Sequence, residues 1–96
     1  MKAKVLYYNH ASDEWVDKEG KKHVNSEIFL VREAQNGKGY LPVETRAWAA
    51  KDGSKVYADV RMRVPSVVFE KYQPKPFDDV EVSFNQYGRI ETICKV

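Results

Sequence analysis

The sequence is short of nearly everything that marks an enzyme, a metalloprotein or a membrane protein. Its one cysteine, Cys94, excludes an internal disulfide and suits a reducing compartment. The two histidines, His10 and His23, belong to no spaced ligand cluster, so no zinc pattern exists. A glycine-rich phosphate loop, a G-x-S-x-G elbow and an H-E-x-x-H pair are all missing. The acidic pairs Asp13-Glu14 and Asp78-Asp79 read as solvated turn residues. Enzyme chemistry is therefore not expected, and neither is a cofactor or a metal. No stretch approaches the ~18 apolar residues of a membrane span. The apolar run Val5–Tyr8 is also shorter than the roughly 7–15 residues of a signal-peptide core, so the cytoplasm is the expected compartment.

Helix periodicity is scarce as well. What remains is a chain of strand-like runs, punctuated by only five glycines and four prolines. Ninety-six residues suffice for one domain spanning 1–96, since a second would be too small to close its own core. A hydrophobic content of 43% separates the chain from disordered sequences. The formal net charge of +2 favours polyanionic partners only weakly, so the position of each charge matters more than the sum.

Lys2–Tyr8 reads as a first strand, rich in Val, Leu and Tyr. Asn9 to Lys22 is polar apart from Trp15 and Val16, and reads as a long loop or wing ending near Glu19-Gly20. Three further runs follow at Val24–Ala34, Tyr40–Ala50 and Lys55–Val64, separated by Asn36-Gly37 and Asp52-Gly53. Both dipeptides favour two-residue type I′ hairpin turns. The resulting register sets Trp48 opposite Tyr57, Arg46 opposite Asp59, Phe29 opposite Glu44 and Glu27 opposite Arg46. One face then carries Ile28, Leu30, Leu41, Val43, Thr45, Ala47, Val56, Ala58, Val60, Met62 and Val64 as a core. The other carries Phe29, Trp48 and Tyr57 among Arg46, Arg61 and Arg63.

Pro65 ends this meander, and Ser66–Tyr72 has room for one helical turn before Pro74 and Pro76. Asp79–Phe84 and Arg89–Val96 form a last hairpin, whose turn is either two residues or a longer bulged loop. Five or six short strands need closure to hide their edges, so a small all-β, OB-like barrel is the expected fold.

Aromatics interleaved with guanidinium groups suit the stacking of bases and the neutralising of phosphates. Phe29, Trp48 and Tyr57 are the stacking candidates, with Tyr40, Trp15 and Tyr87 beside them. Arg46, Arg61, Arg63, Lys21, Lys22 and Lys55 are the phosphate candidates. The bland alternative is a self-satisfied solvent face, with Glu27, Arg46 and Asp59 as a charge ladder.

"EGK", then "NSEIFLV", then "YLPVETR", and finally "VEVSFNQYGRIETICKV" together resemble the filamentous-phage gene V type of single-stranded DNA-binding protein. That family is an OB-fold homodimer that coats single-stranded DNA cooperatively and without sequence preference. By position, the resemblance implies roles for Lys21, Lys22, Tyr40, Arg46 and Tyr87. The expected function is thus coating of single-stranded DNA, with RNA as a further possibility, in replication or transfer of a phage or mobile element. The rival expectation is a small phage or plasmid module that docks a host protein through the same face, since interface hot spots favour the same residues.

Overall fold

The computed structural model describes residues 1–33, 46–50 and 52–96. Its elements are β1 (Lys2–Val16), β2 (Lys22–Arg32), β3 (Arg46–Ala49), β4 (Lys55–Ala58), β5 (Val60–Pro65), a 3-10 turn (Ser66–Phe69), β6 (Asp79–Phe84) and β7 (Ile90–Lys95). The protein is all-β, and the helical turn expected near 66–72 is the 3-10 turn. Five strands form one antiparallel sheet in the order β5-β2-β1-β6-β7, while β3 and β4 form a separate hairpin. Among the described residues the sheet is open rather than closed into the expected barrel, with β5 and β7 as its two edges. Pro65 fits an edge strand, where a missing N–H interrupts no ladder.

One face of the sheet holds the core. Ala3, Val5, Ile28, Leu30, Val64, Val80, Val82, Ile90 and Ile93 pack there, and Phe69 of the 3-10 turn completes the cluster. Alternation of apolar and polar residues along β5 and β6 aims one side of each strand inward, whereas β2 buries the run Ile28 to Val31 on both faces. Complete burial of Phe69, with its ring edge-on to Tyr8 at 4.8 Å between centroids, is worth about 1.5–3 kcal/mol.

Two sequence expectations change along β1 and β2. The segment from Asn9 is not a loop: β1 continues to Val16 and pairs with β2 as a two-stranded arm. Its pattern is hard to read because β1 carries an irregularity between Asn9 and Asp13, opposite Glu27–Asn25. There Ala11 takes a φ of 51°, and its N–H donates to Ser26 Oγ at 2.9 Å. Ser26 is fully buried and also bonds Ser66 Oγ at 2.8 Å, so one hydroxyl stabilises the bulge and ties in the 3-10 turn. The second change concerns neighbours. Between Asn25 and Leu30, β2 is flanked by β1 and β5, so the expected pairing of Glu27 with Arg46 does not form.

The β3–β4 hairpin corrects a further expectation. Its register pairs Trp48 with Val56, Ala47 with Tyr57 and Arg46 with Ala58, one residue away from the two-residue-turn register. The cause is the turn. Ala50 N–H donates to Ser54 O at 2.8 Å, Gly53 N–H donates to Ala50 O, and only Gly53 of the Asp52-Gly53 pair has positive φ. That is a three-residue loop with a glycine bulge, not a type I′ turn. A one-residue slip turns a strand over. β4 therefore keeps its expected orientation, but β3 is reversed: Trp48 faces inward and Ala47 is exposed beside Tyr57. The Asn36-Gly37 turn and residues Tyr40 to Thr45 of the expected Tyr40–Ala50 strand lie outside the described residues.

Candidate nucleic-acid interface

The face of the sheet opposite the core carries Tyr7, Phe29, Glu27, Arg61 and Arg63 on neighbouring positions of β1, β2 and β5. At its centre that face is covered rather than open. Phe29 is 0% exposed, with Tyr7 at 5.5 Å, Trp48 at 6.4 Å and the Arg61 guanidinium 5.8 Å above its ring. Trp48 is half-buried, carries Arg61 over its indole at 5.0 Å, and has a buried Nε1–H with no acceptor among the described residues. Trp48, Phe29 and Arg61 do meet, but by packing of one sheet over another. Arg61 is further held by Glu27, whose Oε2 accepts from Nε at 3.1 Å and from a terminal nitrogen at 2.8 Å.

These contacts correct the expected stacking surface. Phe29 has no face left for a base, and Trp48 and Tyr57 point to opposite sides of their hairpin. Tyr57 is 59% exposed, on the same side as Lys55. The two acids of the expected charge ladder are engaged by other arginines: Glu27 bonds Arg61, and Asp59 bonds Arg32 at 2.8 Å. Arg46 pairs with Ala58 along the backbone, and Tyr40 lies outside the described residues.

A different surface is open at the end of the arm. Trp15 and His23 are cross-strand partners whose rings stack at 4.3 Å and 17°, and Trp15 is 48% exposed. Beside them lies a groove of about 700 Å³, lined by Asp13, Asn25, Arg61, Arg63 and Arg89 as well as the two stacked rings. Arg61 and Arg63 come from β5, and Arg89 from the turn of the last hairpin. The sheet therefore curls far enough for the β6–β7 tip to reach its opposite edge. Neither Arg63 nor Arg89 forms an ion pair among the described residues. Tyr87 stands two residues from Arg89 on the same tip and is 78% exposed. A second cavity of about 550 Å³, lined by Trp48, Phe84 and Gly88, shares Arg61 and Met62 with the first.

The turn joining β1 to β2 is built on Asp17. Its Oδ1 accepts the N–H groups of Glu19 and Lys21, both at 2.9 Å, and its Oδ2 lies 2.8 Å from His23 Nε2. The hydrogen bond from His23, followed by that from the Lys21 N–H, holds the Asp17 carboxyl below the usual carboxylate range. Lys21 and Lys22 line a third cavity on the far side of the arm, with Lys22 3.2 Å from Glu14. Arg61, Arg63 and Trp15 are thus brought together, whereas Lys21 and Lys22 flank them and Tyr57 with Lys55 lies on the second hairpin.

His23, Asn25 and Arg89 line the groove although they stand outside the expected contact set. Reading Asn9–Lys22 as a loop conceals the alternation of Asp13 and Trp15 opposite Asn25 and His23. Among the described residues no group of histidine, cysteine and carboxylate side chains is placed to hold a metal ion. No helix there is long and apolar enough to cross a membrane. No protein-family model, curated protein or solved structure matches this chain.

Proposed function

We propose that the protein binds single-stranded nucleic acid, DNA foremost, with little sequence preference, through the groove between Trp15 and Arg89. One observation carries this reading. Two arginines of β5 and one from the β6–β7 tip line one groove beside a half-exposed tryptophan, and two of the three have no carboxylate partner among the described residues. Guanidinium groups match phosphate oxygens, and an open indole offers a face to any base. The resemblance to the gene V type supports the same class and a coating role in a phage or mobile element. The exposed edge of β7 supports a homodimer, because paired edges hide their backbone groups in a two-fold arrangement. Sedimentation of the free protein checks this point, a monomer mass contradicting it.

The test is titration with oligo-dT and oligo-U while tryptophan fluorescence is followed. Quenching is expected, with affinity falling about tenfold to twentyfold between about 50 and 200 mM salt if three phosphates are neutralised. A flat titration at the lower salt overturns the reading. Binding of a protein partner that ignores salt while oligonucleotides fail would favour the docking module instead.

A further inference from the structure

We infer that His23 is a proton-controlled phosphate contact, joining the arginine groove to the lysine-bearing turn in one track. The inference rests on the groove being a nucleic-acid site. Its starting point is position: among the described residues, His23 is the only polar one that lines both the arginine groove and the cavity holding Lys21 and Lys22.

The ring is fixed on two sides. Trp15 stacks on its face at 4.3 Å, and Asp17 Oδ2 takes the hydrogen of Nε2 at 2.8 Å. The Asp17 carboxylate is itself anchored by the Glu19 and Lys21 N–H groups. With Nε2–H committed to Asp17, the neutral ring is left with a lone pair on Nδ1, which has nothing to give a phosphate oxygen. Protonation converts Nδ1 into a donor and adds a full positive charge.

The charged groups facing this ring are few enough to separate. On the groove side they are Asp13, Arg61, Arg63 and Arg89, and on the other side His10, Lys21, Lys22 and Glu70. His10 is the only other imidazole among these groups. His10 is bonded through Nδ1 to the Tyr8 hydroxyl at 2.7 Å.

Binding of oligo-dT measured from about pH 8 to pH 5.5 at fixed ionic strength tests the assignment. Affinity should rise roughly threefold to tenfold on acidification, as one charge-assisted contact forms. The log–log salt slope should steepen by about 0.7, the value for one more phosphate contact on a single strand. Calorimetry near neutral pH in buffers of different ionisation enthalpy should show proton uptake on binding. His23→Gln should lose the rise and the uptake, and His10→Asn should keep both. Equal pH dependence in wild type and His23→Gln, or none in wild type that still binds, overturns the inference and leaves the groove reading standing. Absence of oligo-dT binding at every pH instead removes the groove reading, and the inference falls with it.

Discussion

The two tryptophans sit in clusters of the same chemical make-up and end in opposite situations. Around Trp48, an arginine and a phenylalanine close over one another, and Glu27 ties the guanidinium down. Around Trp15, the ring leans on His23 and borders Arg63 and Arg89, which have no carboxylate partner among the described residues. The difference comes from what lies above each cluster. The β3–β4 hairpin packs over β1 and β2 at the centre of the sheet and turns aromatic surface into core. The arm runs beyond that cover, so its aromatic pair stays wet. Aromatic and arginine residues on one face therefore indicate a binding surface only where no second layer reaches them.

The largest effect expected from this contrast is on folding. Phe29→Ala should lower stability by about 3–5 kcal/mol in urea denaturation, since it empties the space under both Trp48 and Arg61. A loss below about 1 kcal/mol would mean that the hairpin does not pack there. Next, Trp48→Ala should cost about 2 kcal/mol of stability, whereas Trp15→Ala should stay within about 0.5 kcal/mol. In oligo-dT binding the order should reverse, with Trp15→Ala losing about 1–3 kcal/mol. A smaller contrast separates the arginines. Arg63→Ala and Arg89→Ala should each reduce the salt slope by about 0.7, and Arg61→Ala by less, because Glu27 already neutralises it. Equal slopes for the three would erase the distinction between the clusters.

The smallest effect is on acid stability. The carboxyls of Asp17, Asp52 and Asp78 are held low chiefly by side-chain hydrogen bonds from His23, Ser54 and Tyr72 respectively. A depressed folded value gives stability that is complete above the ordinary carboxylate range, about pH 4, and fades as pH falls through the folded values. Asp17→Asn removes one such titrating group. Its stability should therefore fall less steeply than that of the wild type as pH drops below about 4, read by urea denaturation at each pH. An acid limb as steep as the wild type's would contradict the assignment. The sign is opposite at alkaline pH for Tyr72, whose phenol is raised by burial and by its hydrogen bond to Asp78 at 2.5 Å. That contribution is complete below about pH 10 and declines above it.

Much of the sheet is legible from alternation alone. β2 and β5 keep their expected faces, with Ile28, Leu30, Met62 and Val64 on one side and Phe29, Arg61 and Arg63 on the other. Misreading begins at the turns. Asp17 to Lys21, Ala50 to Ser54 and Asn85 to Arg89 share one hydrogen-bond pattern, with a positive-φ glycine at the fourth position. Asp52-Gly53 resembles a two-residue turn in composition, yet it belongs to this longer type. That single extra residue reverses β3 and moves Trp48 away from Tyr57. The arm escapes notice for another reason: Asn9–Val16 is polar because both of its faces meet solvent or a groove, so no apolar stripe marks it as a strand. The Ser26 contact that secures its bulge joins residues 15 apart, which no local pattern reveals.

Two indole N–H resonances in a nitrogen-15 spectrum offer the most direct test of the division between the clusters. On addition of oligo-dT at low salt, the Trp15 signal should shift or broaden while the buried Trp48 signal stays in place. A Trp48 signal that moves alone, or two signals that both stay fixed, would contradict the assignment of the arm as the binding surface.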